Sequence, residues 1–358
     1  MRIGIPREIK PHEGRVALVP AACAELAALG HAVRVQAGAG ERAGYPDADY
    51  ARAGAEIVPD AAALYGGSEV IVKVKEPVGP ELDLLRPHHV LFSFLHLAAD
   101  HALAERLRRI GLTAFAYETL AVDGRLPVLA PMSHIAGKLA VQVGATLLHE
   151  PQGGVGLLLG GVSDADPGRV VILGAGSAGM SACAVAVALG AAVQVLDIDE
   201  ARLAALRGEW PTVEFLPASP ERVAAVVPAA DLLVGAVLVP GRHAPHVVSR
   251  ELVAAMAPGR VVVDIAIDQG GCIETSRPTT WDAPVFRAEG ELHMAVTNMP
   301  GAVPRTATQA LSAAVLPWVK RFLAGDWQHD PALRSALNVA GGEFRHPAIR
   351  AEMAAAGR

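Results

Sequence analysis

RVVILGAGSAGMSACAVAVALGAAVQVLD, residues 169–197, is the stretch from which the fold can be read. Val170 to Leu173 is a short, wholly apolar run, the pattern of a buried parallel strand. Gly174, Gly176 and Gly179 then spell G-x-G-x-x-G. In that order the three glycines allow a tight turn, close approach of backbone to a pyrophosphate, and close packing of helix on strand. The phosphates would rest at a helix N-terminus, where N–H groups and the helix dipole favour negative charge. Ala191 to Leu196 predicts the next strand, which ends on Asp197, 18 residues past Gly179. A carboxylate about 20 residues past the glycines meets the ribose hydroxyls in dinucleotide sites. The pattern therefore predicts dinucleotide binding, with a structural glycine turn as the alternative. An acid at Asp197 would repel a 2′-phosphate, which favours NAD over NADP, although nearby Arg202 weakens that preference. The uncharged run 170–196 is long enough for a membrane span. The glycine turn divides it, however, and no basic flanks set an orientation.

A chain of 358 residues predicts two domains. Its 52% apolar and 19% charged residues are those of a globular protein with material for two cores. A net charge of −6 argues against a general nucleic-acid or anionic-membrane binder. The opening MRIGIPREIK has no long apolar signal core, so a cytoplasmic location is expected. Cys23, Cys183 and Cys272 lie far apart and fit neither a zinc spacing nor a disulfide framework, and no metal site is expected. Cys23 and Cys183 fall on apolar helical stretches and read as small core residues.

Taken in order, strands are expected at 1–6, 31–36, 70–75, 89–95 and 112–117, with helices at 20–29, 47–54, 60–65 and 98–110 between them. This alternation means an α/β domain. A long helix is expected at 132–149, followed by the glycine-rich link PQGGVGLLLGG. Past Asp197 the alternation resumes, with strands at 213–216, 232–238 and 260–267, helices at 200–206, 220–227 and 249–256, and a last short apolar pair, Ala295 and Val296, before Asn298. Six strands with crossover helices suit a doubly wound sheet. A last long helix, 306–324, and the tail with Trp327 should return to the first domain.

Ligands of open α/β sheets sit at the carboxyl ends of the strands. Lys75, His96, Asp268 and Asn298 end apolar runs in such places. His96 reads either as a strand-end histidine bonded to backbone or as a general acid/base titrating near neutrality. Asp268 reads either as a turn acid or as a carboxylate that orients or deprotonates water, with Asp264 as a structural rival in the same strand. Lys73 rivals Lys75 on the same face, and one of the two lysines is expected to pair with Glu76 or Glu69. Arg15, taken alone, reads as a surface arginine.

With these residues in view, the chain resembles the alanine dehydrogenase and pyridine nucleotide transhydrogenase family along nearly its whole length. The resemblance rests on GIPREIKPHEGRVALVP, VKVKEP, LFSFLHLAAD, AYET, LAPMS, GGV, the glycine fingerprint, LDID, GAVLVPG, VVVDIAIDQGGCIETSRPTT and TNMPGAVPRTAT. It implies a Rossmann NAD-binding domain, residues 129–304, and a second α/β substrate domain, residues 1–128 and 305–358, separated by a cleft. It implies reversible, NAD-dependent oxidative deamination of L-alanine to pyruvate and ammonium. Arg15 and Lys75 would hold the substrate, an arginine suiting a carboxylate. His96 and Asp268 would be the acid/base pair, and Asn298 would help to place the nicotinamide. On the cofactor side the resemblance implies Ser133, Gly174, Gly176, Ser177, Ala178, Gly179, Asp197, Arg202, Ser219, Val237 and Leu238, together with Ile265, Ala266, Ile267, Asp268, Val296, Thr297, Asn298 and Met299. A homohexamer is the assembly it implies.

One departure stands out. LAPMS is usually followed in this family by glutamate, where this chain has His134. The change reads either as a surface difference or as one that alters cofactor affinity, pH dependence or interdomain contacts. Alternative functions are a related amino-acid dehydrogenase with another side-chain pocket, the soluble subunit of a transhydrogenase, and a non-catalytic NAD-binding module.

Overall fold

The structure is a computed structural model, and it describes residues 1–239 and 243–357. Two residues of the GAVLVPG run, Pro240 and Gly241, lie outside the described residues, as does the chain end at Arg358. The chain divides into two compact units. Unit 1 holds residues 1–132 and 301–357, and unit 2 holds residues 133–239 and 243–300. Fifteen strands occur among the described residues. In chain order they are β1 (Arg2–Ile5), β2 (Ala32–Gln36), β3 (Glu56–Val58), β4 (Val70–Val72), β5 (Val90–Ser93), β6 (Thr113–Ala116), β7 (Arg169–Leu173) and β8 (Ala192–Asp197). They continue as β9 (Glu214–Pro217), β10 (Leu232–Gly235), β11 (Val261–Asp264), β12 (Val285–Ala288), β13 (Glu291–Met294), β14 (Leu337–Ala340) and β15 (Glu343–Phe344).

Unit 1 is built on an eight-stranded sheet of order β15-β14-β6-β5-β4-β1-β2-β3. Strands β1 to β6 pair in parallel, while β14 and β15 close one edge antiparallel. The chain winds outward from β1 through β2 to β3, then returns to β4 beside β1 and winds the other way. The β1/β4 boundary is therefore the topological switch point, where such sheets bind ligands. Local chemistry sets the connecting helices. Asp100, for example, caps the helix His101–Ile110 by accepting from Leu103 N–H at 2.9 Å, and Gly111 ends it at φ +80°. Phe92 and Phe115 stack at 4.7 Å, and Phe322 and Trp327 pack edge-on against Phe115, which anchors the C-terminal segment to this sheet.

Unit 2 repeats the plan with seven strands in the order β12-β13-β11-β10-β7-β8-β9. All but β12 are parallel, and its switch point is the β7/β10 boundary. Val170, Ile172, Leu232 to Val234 and Val261 to Val263 are all fully buried, as two-sided burial of a central parallel sheet requires. Both units are thus α/β with doubly wound sheets.

Several strands are shorter than their apolar runs suggest. β4 stops at Val72, β10 at Gly235 and β11 at Asp264. Lys73 and Val74 stay buried past β4, whereas Val237 and Leu238 past β10 and Ile265 past β11 are half-buried or exposed; these residues form the ligand edge, and the apolar pattern does not register that change. The edge strands β3, β12 and β15 are half-exposed and carry no clear apolar period, so they did not stand out in the sequence. Among the described residues, no helix is long and apolar enough to cross a membrane. All three cysteines are buried free thiols.

Candidate active site

In unit 1 the candidate residues follow strands that are neighbours in the sheet. Arg15 lies on the loop after β1, Lys75 on the turn after β4, and His96 on the turn after β5. Arg15 and Lys75 thus flank the switch point. Arg15 is 2% exposed, so it is not the surface arginine that its bare sequence suggests. Its Nε donates to Glu13 Oε1 at 2.7 Å, and its Nη2 donates to Glu13 Oε2. This bidentate pair orients the guanidinium. The loop itself is pinned to the C-terminal helix Pro304–Leu323. Val16 N–H donates to Thr308 Oγ1 at 3.1 Å, and Val19 N–H donates to Ser312 Oγ at 3.0 Å.

Lys75 is 5% exposed and has no ion-pair partner within 4.0 Å among the described residues. Its charge is felt at Glu76. Burial pushes the Glu76 carboxyl up, but Lys75, Lys10 and His96 outweigh it and hold the group below the usual carboxylate range. Lys73, the sequence rival, is fully buried and serves a different purpose. It pairs with Glu8 at 3.2 Å and Glu81 at 2.5 Å rather than with Glu76 or Glu69. Glu69 pairs with Arg2 at 3.7 Å, and Glu76 pairs with Lys10. Beyond the end of β4 the backbone no longer keeps a two-residue period, so the two lysines part company.

His96 adopts φ +50°, in the left-handed region that a non-glycine residue enters at a cost of about 1–2 kcal/mol. Glu118, 5% exposed and placed just after β6, accepts the His96 N–H at 2.6 Å and the Leu95 N–H at 3.2 Å. Hydrogen bonds to a charged acceptor contribute roughly 1.5–3 kcal/mol each, enough to offset that strain. The half-buried imidazole stacks on Phe94 with ring centroids 6.0 Å apart. Glu118 was not singled out in the sequence except as part of AYET, because nothing in the spacing of a lone acid announces a backbone clamp.

In unit 2 the three glycines have three different reasons to be glycine. Gly174 sits at φ +104°, and a Cβ there would lie 2.6 Å from the Ala236 carbonyl oxygen across the switch point. A Cβ on Gly179 would lie 1.8 Å from the Gly174 carbonyl oxygen, so helix and turn could not pack. A Cβ on Gly176 would meet nothing within 4 Å. Gly176 caps the helix Ser177–Ala188, and no side chain caps its N–H groups. Ser177 and Ala178 form the first turn. An open space before uncapped helical N–H groups fits a phosphate. At the end of β8, Asp197 accepts from Ala175 N–H at 2.6 Å and Asp199 N–H at 2.9 Å, with Arg202 3.7 Å away. Its carboxylate is thereby fixed beside the glycine turn. The residues of unit 2 fit a dinucleotide.

The other cofactor candidates also follow parallel strands of this sheet at their carboxyl ends. Ser219 follows β9, where its hydroxyl caps the helix Pro220–Val226 by accepting from Arg222 N–H at 3.3 Å. Val237 and Leu238 follow β10, with Leu238 exposed. Residues 265–268 follow β11 as a 3-10 turn, Ile265–Gln269. Val296 to Met299 follow β13. Asp264 is the structural acid. It is fully buried and accepts from the N–H groups of Ala266, Cys272 and Ile273 at 3.0, 3.0 and 3.1 Å. Burial raises its carboxyl, and those N–H donors oppose the rise. Asp264 so folds the turn that presents Asp268. Asp268 Oδ1 in turn accepts from Asn298 N–H at 3.3 Å, and Asn298 has φ +65°. Ser133 lies in the helix Ala130–Leu147. Its neighbour His134 is exposed, with its Nδ1 2.7 Å from Ser181 Oγ on the helix of the glycine fingerprint.

The chain matches two family models. One is described as the alanine dehydrogenase/PNT N-terminal domain, over residues 4–136, and the other as the alanine dehydrogenase/PNT C-terminal domain, over residues 140–347. It is 48% identical over 345 residues to an alanine dehydrogenase of Mycobacterium tuberculosis, covering 95% of this chain and 93% of that one. It is similar to a solved L-alanine dehydrogenase with a TM-score of 0.93 and 47% identity, covering 99% of each chain. It is also similar to a solved transhydrogenase from Sinorhizobium meliloti, with a TM-score of 0.83 and 27% identity, covering 97% of this chain and all of that one. Two doubly wound units with these edges, matched end to end, show that the chain belongs to the alanine dehydrogenase/PNT family.

Proposed function

We propose that the protein is an NAD-dependent L-alanine dehydrogenase that converts L-alanine, NAD and water reversibly into pyruvate, ammonium, NADH and a proton. The observation that carries the reading is Lys75. A buried ammonium with no carboxylate within 4.0 Å among the described residues follows β4 at a switch point, while the buried Arg15 and the half-buried His96 follow the neighbouring strands β1 and β5. Such a cation suits a ligand that brings its own negative charge, as a 2-amino or 2-oxo acid does. The near full-length likeness to alanine dehydrogenases supports the same reading.

Unit 1 is the substrate domain in this reading, and unit 2 the NAD domain. NAD, when bound, would supply the acceptor for the hydride that leaves the substrate Cα. Arg15, oriented by Glu13, and Lys75 hold the carboxylate and carbonyl. His96 exchanges a proton with the carbinolamine or carbonyl oxygen, and Asp268 exchanges one with water or the amine. Asn298 places the nicotinamide, Asp197 the ribose, and the Gly174–Gly179 turn with Ser177 the pyrophosphate. The remaining cofactor contacts are those named above. Exposed Leu158, Val162 and Leu189 support burial in a homo-oligomer, proposed as a hexamer in the cytoplasm.

The test is NADH formation by purified protein with NAD and a panel of amino acids at mildly alkaline pH. Turnover with L-alanine well above serine, glycine, valine and lysine is expected. Clear NAD binding with no turnover on any of them would sink the reading.

A further inference from the structure

The switch point of unit 1 holds a second group of charges that the proposed chemistry does not use. Glu8 shares the loop that carries Arg15. Its Oε1 accepts Val74 N–H at 2.7 Å, one residue before Lys75, and its Oε2 accepts from Lys73 Nζ at 3.2 Å. Glu81, on the short helix Glu81–Leu84, takes Lys73 at 2.5 Å, the Tyr65 hydroxyl at 3.0 Å and Val78 N–H at 3.0 Å. The side chains of Glu8, Lys73 and Glu81 are all at most 4% exposed.

We propose that Glu8 is a positioning residue. It ties the loop of Arg15 to the turn of Lys75, and its ionisation sets the affinity for the substrate carboxylate. The inference rests on the reading of Arg15 and Lys75 as the substrate-holding pair. The groups that face Glu8 are Lys73 and the Val74 N–H from the turn after β4, Glu13 from its own loop, Glu81 from its helix, and Tyr117 from the turn after β6. Lys73 is one cation for two acids, and Glu13 is already committed to Arg15. Glu81 has the shorter contact with Lys73 and two further donors, so Glu8 is the acid to which the cluster assigns a proton. Burial pushes the Glu8 carboxyl up to about 7, with Glu13 and Glu81 adding to the rise and Lys73 and Val74 N–H opposing it. Loss of that proton places a new negative charge beside the segments that hold Arg15 and Lys75. An incoming carboxylate is then disfavoured, and more strongly for want of water to screen it.

The test compares the wild type with Glu8→Gln, whose amide keeps the size of the side chain and one acceptor oxygen for Val74 N–H without the charge. KM for pyruvate is measured from about pH 6 to about pH 8.5 with NADH and saturating ammonium. Taking the ratio of wild-type to variant KM cancels ionisations common to both. The ratio should rise roughly three- to tenfold across neutrality, with kcat within about twofold and NADH affinity unchanged. A flat ratio in an active enzyme would overturn the inference. An inactive wild type would overturn the dehydrogenase reading, and this inference with it. Glu8→Asp supplies a second arm, and it decides the matter if the glutamine variant does not fold. Withdrawing the carboxyl from Val74 should raise KM at every pH, and a wild-type KM would overturn the positioning role.

Discussion

The Glu118 carboxylate accepts the His96 backbone N–H at 2.6 Å, holding a histidine at φ +50° at the end of its strand. The same device recurs in unit 2, where Asp268 accepts the N–H of Asn298 at φ +65°. Strained backbone at two candidate site residues is held in each case by a carboxylate, which is how such strain persists. Glu118→Ala should therefore release the turn. A loss of roughly 2–4 kcal/mol in stability is expected from two charge-assisted bonds less the backbone strain they hold, with kcat down roughly tenfold or more. Denaturant melts and steady-state kinetics measure both, and an unchanged kcat would show that the turn does not need its clamp.

His96→Ala and Asp268→Ala should each lower kcat by roughly 10²- to 10⁴-fold while NADH still binds, because each is assigned a proton transfer. Fluorescence titration of NADH separates binding from turnover. Normal kcat in either variant would remove that residue from the mechanism.

The glycines of unit 2 should separate fold from ligand. Gly179→Ala places a methyl 1.8 Å from a carbonyl oxygen, so it should lower the melting temperature strongly. Gly176→Ala meets only open space, so it should fold like the wild type and lose affinity for NADH. Equal melting temperatures for both variants would contradict this assignment.

Asp197→Ala should shift the NAD:NADP preference toward NADP, both by removing the carboxylate and by releasing Arg202 from 3.7 Å. The ratio of kcat/KM for the two cofactors checks it. An unchanged ratio would mean that Asp197 does not read the ribose.

Glu291, at the start of β13, is fully buried, and neither carboxylate oxygen has a hydrogen-bond partner among the described residues. Burial raises its carboxyl to about 7, with Glu289 adding to the rise and Arg287 opposing it. A folded value above the unfolded one near 4.5 stabilises the fold below that lower pH, and the contribution fades as pH rises through about 7. Glu291→Gln should flatten the pH dependence of stability between these limits and gain roughly 2 kcal/mol at pH 8. Melts across that range test it, and a variant that keeps the wild-type slope would assign the dependence elsewhere.

The doubly wound plan was legible because burial on both faces makes central parallel strands continuous apolar runs, and 169–197 shows one bounded by glycines and an acid. The positions of Lys75, His96 and Asp268 were legible as polar residues ending such runs. The edge strands β12 and β15 were not, since a half-exposed strand has no obligatory apolar pattern.

By itself the sequence determined the α/β class, the glycine turn with its acid, and the family, because each rests on residue types at short separations along the chain. Only the tertiary structure decided which lysine meets carboxylates, that Arg15 is buried, and that Glu8, Glu118 and Asp264 shape the edges. Lys73 finds Glu8 across 65 positions of chain, and Glu118 reaches His96 across 22. Such pairings depend on which strands lie side by side, and local patterning along a chain does not encode that order.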